Sequence, residues 1–180
     1  MRVFYEEMKE KLQSILVKYG FDEKRAEESA KNFADSSLDG VYSHGYQRFP
    51  RVIDYIQKGY IDVNAVPEKI TGFGAVERWD GHLGMGNLNA KMAMQRAVEL
   101  AAQLGIGMVA MSNTNHWMRG GATDGRQRKQ DVSESAGQIP VQTCRHGEPL
   151  MEGSEIIHLF WLFRIRMESM LLLILRWHSI

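Results

Sequence analysis

A chain of 180 residues with 22 basic and 22 acidic side chains carries no net field to draw it to nucleic acid or an anionic membrane. At 44% hydrophobic and 24% charged, it has the composition of a globular protein long enough for one real core or two small ones. The lone Cys144 excludes an internal disulfide framework, and the N-terminus turns charged at once with no apolar signal segment, so the expected location is cytoplasmic.

Residues 4–19 read as an amphipathic helix, with Phe4, Met8, Leu12, Ile15, Leu16 and Tyr19 at i, i+3, i+4 spacing and Gly20 as its stop. Asp22 is placed to cap a second helix whose stripe is Ala26, Ala30, Phe33, Ala34 and Leu38, ended by Asp39-Gly40. Pro50 suits the first turn of a third helix, with Val52, Ile53 and Ile56 pointing one way. Gly59 and the polar run to Pro67 make a connection to new structure.

From Glu68 the pattern changes. Lys69–Phe73 and Ala75–Trp79, divided by Gly74, read as short strands, and Asp80-Gly81 as a turn. Asn87 is expected to cap a long helix through about Leu104, with Gly105 as its stop. Ile106–Met111 is an apolar run of strand length, and Ser112–His116 follows at its C-terminal end, where α/β proteins commonly place reactive groups. The fold expected is α+β (mixed α/β, non-Rossmann). A helical unit over 1–64 is followed by the start of a mixed sheet domain over 65–122.

Residues 123–180 have no comparable periodicity, and Lys129 is the one lysine among them. No reliable fold is expected there, and the sheet begun upstream would be left with unpaired edges. A membrane helix near the end is rejected. Arg164, Arg166 and Glu168 interrupt it, and the run Met170–Leu175 is far short of the ~20 residues a span needs.

Two segments carry candidate chemistry. His44, in Val41-Tyr42-Ser43-His44-Gly45, lies between two expected helices and is suited to give or take a proton at a carbonyl or hydroxyl carbon. Ser43 is placed to orient the ring or the substrate, and Arg48 to supply a fixed charge for a carboxylate. The second segment, Asn113-Thr114-Asn115-His116-Trp117-Met118-Arg119-Gly120-Gly121, combines amide, imidazole, guanidinium and a glycine pair after a buried strand. Read blandly, the first is a helix-connecting loop with a surface His and Arg, and the second a turn with a packed Trp117. Gly105-x-Gly107-x-x-Ala110 follows a helix and enters a strand, the reverse of a Rossmann fingerprint, and Gly84-Met-Gly86 either offers backbone N–H groups to an anion or, as such glycines more often do, simply makes the turn. No cysteine or histidine spacing resembles a structural zinc site, so no metal is expected.

At their spacing, GVYSHGYQRFPRVIDYIQKGYID and GIGMVAMSNTNHWMRGG, with RWDGHLGMGNLNAKMAMQRAVELAAQ between them, resemble the malate/L-lactate dehydrogenase family, closest to its 2,3-diketo-L-gulonate reductase branch. The resemblance covers about residues 1–122. It implies a two-domain, non-Rossmann enzyme, usually a homodimer, that moves a hydride between NAD(P)H and a 2-keto acid/2-hydroxy acid pair. NADH is the expected cofactor, with NADPH left open, and no nucleic acid or membrane partner is implied. His44 matches the family's proton donor. Ser43, Arg48, Asn115 and His116 fall near the substrate, and Arg119 and Gly120 near the cofactor. The second reading is a non-catalytic helical association fragment, which nicotinamide binding would separate from the first.

Past Gly121 the family pattern stops. The codons allowed for Asp124–Lys129, regrouped one nucleotide earlier, permit GWQAAE, and those for Gln130–Pro140 permit GCIGICWTNS. Val141–Glu148 permits ANMPPWG, and Glu152–His158 permits IGNNP. Those strings, in that order, are expected of the family. The pattern is that of one nucleotide lost near codon 122, in the gene or in its reading. A chain so altered lacks the family's main cofactor segments and is expected to turn over weakly or not at all.

Overall fold

The computed structural model describes residues 3–119, together with the backbone of two later strands, 132–140 and 156–164. Three helices come first: α1 (Tyr5–Lys18), α2 (Glu23–Leu38) and α3 (Phe49–Gln57). Asp22 caps α2 as its sequence implies, its carboxylate accepting the Arg25 backbone N–H at 3.0 Å. Leu12 and Leu16 of α1 meet Ala26, Ala30 and Phe33 of α2, and Phe33 packs edge-on against Phe49 of α3 with centroids 5.2 Å apart.

A mixed sheet follows. Strand β1 (Glu68–Phe73) pairs antiparallel with β2 (Val76–Gly84), and β2 pairs parallel with β3 (Ile106–Thr114) after a crossover through helix α4 (Gly86–Leu104). The small inner face of α4 (Ala90, Ala93, Ala97, Ala101) lets it lie close on Val109 and Met111 of β3. Two findings depart from expectation. Asp80-Gly81 does not end β2. The strand runs on to Gly84 because β3 continues to pair with it, and the turn signal survives as an irregularity between Asp80 and Gly84 with left-handed φ at His82 and Leu83. Asn87 does not cap α4. The cap is Met85, and the buried Asn87 Nδ2 donates to Ser29 Oγ of α2 at 3.0 Å.

Where no reliable fold is expected, the chain forms β4 (Val132–Pro140) and β5 (Ile156–Arg164), giving the order β1-β2-β3-β5-β4. β5 runs antiparallel along Ile106–Met111, so β3 is not left with an open edge. The stretch IIHLFWLFR is rich in β-branched and aromatic residues at strand length, which favours a strand without longer periodicity. Among the described residues, no helix is long and apolar enough to cross a membrane.

One hydrophobic core joins the helices to Met85 and Leu88 at the start of α4 and to Met118 beyond β3. The three helices are therefore packed directly against the start of α4 and the segment after β3.

Candidate functional site

His44 ends a single 3₁₀ turn (Tyr42–His44) between α2 and α3. The turn is pressed onto α2 at Gly45, where a Cβ would stand 2.3 Å from Ser37 Oγ and 2.9 Å from Ser37 N. Ser37 completes the attachment. Its hydroxyl donates to the Phe33 carbonyl at 2.7 Å and accepts the Tyr46 N–H at 3.0 Å. Gly45→Ala is expected to lift the turn from α2 and cost about 1–3 kcal/mol by overpacking, read as a fall in thermal midpoint. An unchanged midpoint would contradict this packing.

The geometry brings the two segments together. The His44 and His116 rings lie 5.7 Å apart, centroid to centroid, tilted by 37°. Arg48, at the cap of α3, and His116 line the same cleft with Tyr55 and Asn115, over a floor of Val52, Ile61, Met85 and Met118. The cleft is partly open to solvent. Ser43 Oγ lies 3.1 Å from His44 Nδ1, and since a hydroxyl both donates and accepts, the contact survives either protonation state of the ring.

His116 is held differently. Its Nδ1 accepts the Met118 backbone N–H at 3.0 Å, with Met118 in a left-handed conformation at φ 70°. Burial above all, then the positive charges of Arg48 and His44, holds its pKa below the ordinary imidazole value. Arg25, Arg96 and Arg119 are paired with Asp22, Glu77 and Asp39. Among the described residues Arg48 has no such carboxylate.

Asn115 lines the cleft, but its Nδ2 donates to the carbonyls of Leu83 (2.8 Å) and Tyr60 (3.0 Å). It thereby ties the end of β2 to the connection after α3. Arg119 forms a close ion pair with Asp39 at the end of α2, so it anchors the loop after β3 to the helix preceding the His44 turn. Gly120 lies outside the described residues. Tyr55 and Met85 carry no chemistry that the sequence marks, and Met118 enters only as a member of its segment. Tyr55, three residues after Val52 on α3, had a readable signal, whereas the two methionines reach the cleft through long-range packing.

The Gly84-Met85-Gly86 corner between β2 and α4 is closed by the chain itself. A Cβ on Gly86 would stand 2.2 Å from the carbonyl oxygens of both Asn115 and His116. It works as a turn at a close backbone crossing. It does not offer a phosphate cradle, because the described residues at that corner are packed against one another. Among them, no group of three His, Cys, Asp or Glu side chains is arranged to hold a metal ion.

Residues 3–133 match the family described as malate/L-lactate dehydrogenase. The chain is 48% identical over 122 residues to a 2,3-diketo-L-gulonate reductase of Haemophilus influenzae, a match covering 68% of this chain and 37% of that protein. It is 50% identical over 121 residues to one of Pasteurella multocida, covering 67% and 36%. Among solved structures, malate dehydrogenase from Entamoeba histolytica superposes with a TM-score of 0.73 at 31% identity, over 77% of this chain and 38% of that one. Sulfolactate dehydrogenase from Methanocaldococcus jannaschii gives 0.71 at 29% identity, over 88% and 47%. The chain thus spans little more than a third of the length of the curated relatives it matches. A sequence match over 131 of its 180 residues, on a fold shared with solved dehydrogenases, places it in the malate/L-lactate dehydrogenase family.

Proposed function

We propose that this chain is the substrate-side portion of an NAD(P)H-dependent reductase of 2-keto acids, of the diketogulonate type, in which His44 is the catalytic acid. One observation carries the reading. Two imidazoles from segments 72 positions apart face each other at 5.7 Å beside an arginine with no carboxylate partner among the described residues. Nearly half-identical relatives bearing the reductase name support the substrate class.

When bound, the reduced nicotinamide supplies the hydride to the keto carbon. Protonated His44 gives its proton to the oxygen, and a charged imidazole beside the developing alkoxide also stabilises it. Arg48 holds the substrate carboxylate, and Ser43 orients the His44 ring through Nδ1. Arg119 and Gly120 are the residues of this chain nearest to a cofactor role. A homodimer in the cytoplasm is the proposed setting.

The division proposed is a helical unit over 1–64, the opening of the cofactor-side sheet over 65–122, and an out-of-frame tail over 123–180. Resequencing around codon 122 should find one additional base that reopens the frame well beyond residue 180. A gene that encodes the 180-residue chain unaltered would end the frameshift account. The functional test is NADH oxidation with a panel of 2-keto acids, 2,3-diketo-L-gulonate among them. The frame-restored protein is expected to consume NADH, and no consumption with any of the acids would reject the reading.

A further inference from the structure

We propose that His116 is a second catalytic residue, a hydrogen-bond donor to the substrate oxygen whose proton is fixed on Nε2 because the Met118 backbone N–H occupies Nδ1. This rests on the keto-acid reading above and assigns the two histidines different work.

The argument starts from the ring nitrogens. A neutral imidazole has one N–H and one bare nitrogen, and which is which is set by the bond the other makes. In His116 the bare nitrogen is Nδ1, because a backbone N–H 3.0 Å away can only donate. The proton of the neutral ring is therefore on Nε2. The left-handed backbone at Met118 aims that N–H, a conformation side-chain-bearing residues seldom adopt and one that clusters at working sites.

Charge then decides which ring is the acid. Arg48 is cationic, and a protonated His44 adds a second positive charge 5.7 Å from the His116 ring, centroid to centroid. A third positive charge in this half-buried cleft would meet both at once, and protonating Nδ1 would also break the Met118 bond. The direction of the His116 pKa, pushed down by burial, Arg48 and His44, agrees. His44 is thus the imidazole that cycles, and His116 remains a neutral donor. In the reaction the keto carbon gains the hydride and its oxygen gains the proton of His44, which becomes neutral. His116 keeps its own proton throughout and only shares it in a hydrogen bond to that oxygen, a preorganised donor in the sense of an oxyanion hole.

The decisive measurement is nitrogen-15 NMR of the 180-residue chain labelled at its six histidines, with His116→Asn used to assign the signal. Expected is the Nε2–H tautomer for neutral His116, whose ring gains its second proton only below the ordinary imidazole value. An Nδ1–H tautomer, or a His116 ring that gains its second proton at or above the ordinary imidazole value, overturns the proposal. In the frame-restored enzyme, His116→Asn, which keeps an amide donor, should hold kcat for keto-acid reduction within about tenfold, while His116→Leu falls by about 10²–10³. Equal losses for the two variants overturn the donor role even where the chain alone gives no folded spectrum. If the unsubstituted enzyme reduces no keto acid while the tautomer stands, it is the substrate reading that has failed.

Discussion

Replacing His44 with alanine in the frame-restored enzyme is expected to lower kcat for keto-acid reduction by about 10²–10⁴, the usual contribution of a positioned general acid. NADH binding should stay nearly unchanged. The reason is geometric. His44 stands on a turn fixed by the close crossing of Gly45 over Ser37, with its ring 5.7 Å from that of His116, centroid to centroid. Truncating its ring removes the proton source without disturbing Arg48, which sits at the head of α3 and is held by the buried Phe49 beside it. Stopped-flow turnover alongside calorimetric NADH titration separates the two effects. Unchanged turnover would remove His44 from the mechanism, and lost NADH binding would make it a structural residue.

The second large effect concerns stability and lies away from the cleft. Glu77, 2% exposed, is the most deeply buried acidic residue among those described. Its carboxylate accepts from Arg96 Nε (2.9 Å) and Nη2 (2.8 Å), from Lys69 Nζ (2.7 Å) and from Trp79 Nε1 (3.0 Å). This set ties α4 to β1 and β2. The Arg96 guanidinium, more than the other donors, holds its pKa down to about 2, against an ordinary value of 4.5. A carboxylate depressed by folding gives stability that is complete above its unfolded value and is lost as pH falls through the folded one. The window here runs from about pH 5 down to about pH 2, and the interval corresponds to about 3 kcal/mol. Glu77→Ala in the frame-restored protein should therefore cost about 3 kcal/mol at pH 7 by urea unfolding, and the penalty should shrink steadily below pH 4.5. A penalty independent of pH would mean that packing, not the ion network, matters at this position.

His116 shapes acid stability in a neighbouring window. Its pKa is lowered on folding, so the unfolded chain binds the proton more readily, and stability declines as pH falls from about 6.5 toward the folded value. His116→Asn should remove that limb of the unfolding curve and leave the one due to Glu77.

Local chemistry made much of this readable in the sequence. The cap at Asp22 and the stop at Gly105 are decided within a few residues of themselves, and the fold agrees with them; the expected stripes hold at Leu12, Leu16, Ala26, Ala30, Phe33 and Ala34 but fail at the helix ends, where Phe4 and Leu38 are exposed. His44 and His116 were recognisable as candidates because each stands in a polar segment beside a predictable element, but nothing in either segment encodes their separation. That distance is set by a core linking Phe33 and Phe49 with Met85 and Met118, contacts spread over more than 80 positions. Asn87 shows the limit well. By type and place it should cap a helix, yet tertiary packing sends its amide to Ser29 and moves the helix start to Gly86. Glu77 falls in the expected strand Ala75–Trp79 with nothing beside it in sequence to mark it out, and only the fold places Arg96 and Lys69 around it. β5 carries a run of strand-forming residues, but its pairing with β3 is a matter of register that composition does not encode.

The central claim is that an imidazole at position 44 exchanges the proton of the reaction. The most direct test is the pH dependence of kcat in both directions for the frame-restored enzyme. Reduction of the keto acid should fall, and oxidation of the hydroxy acid should rise, as pH increases through the range where imidazoles titrate, the two curves mirroring one another about a shared midpoint. Profiles that are flat there, or that move in the same direction, would contradict it.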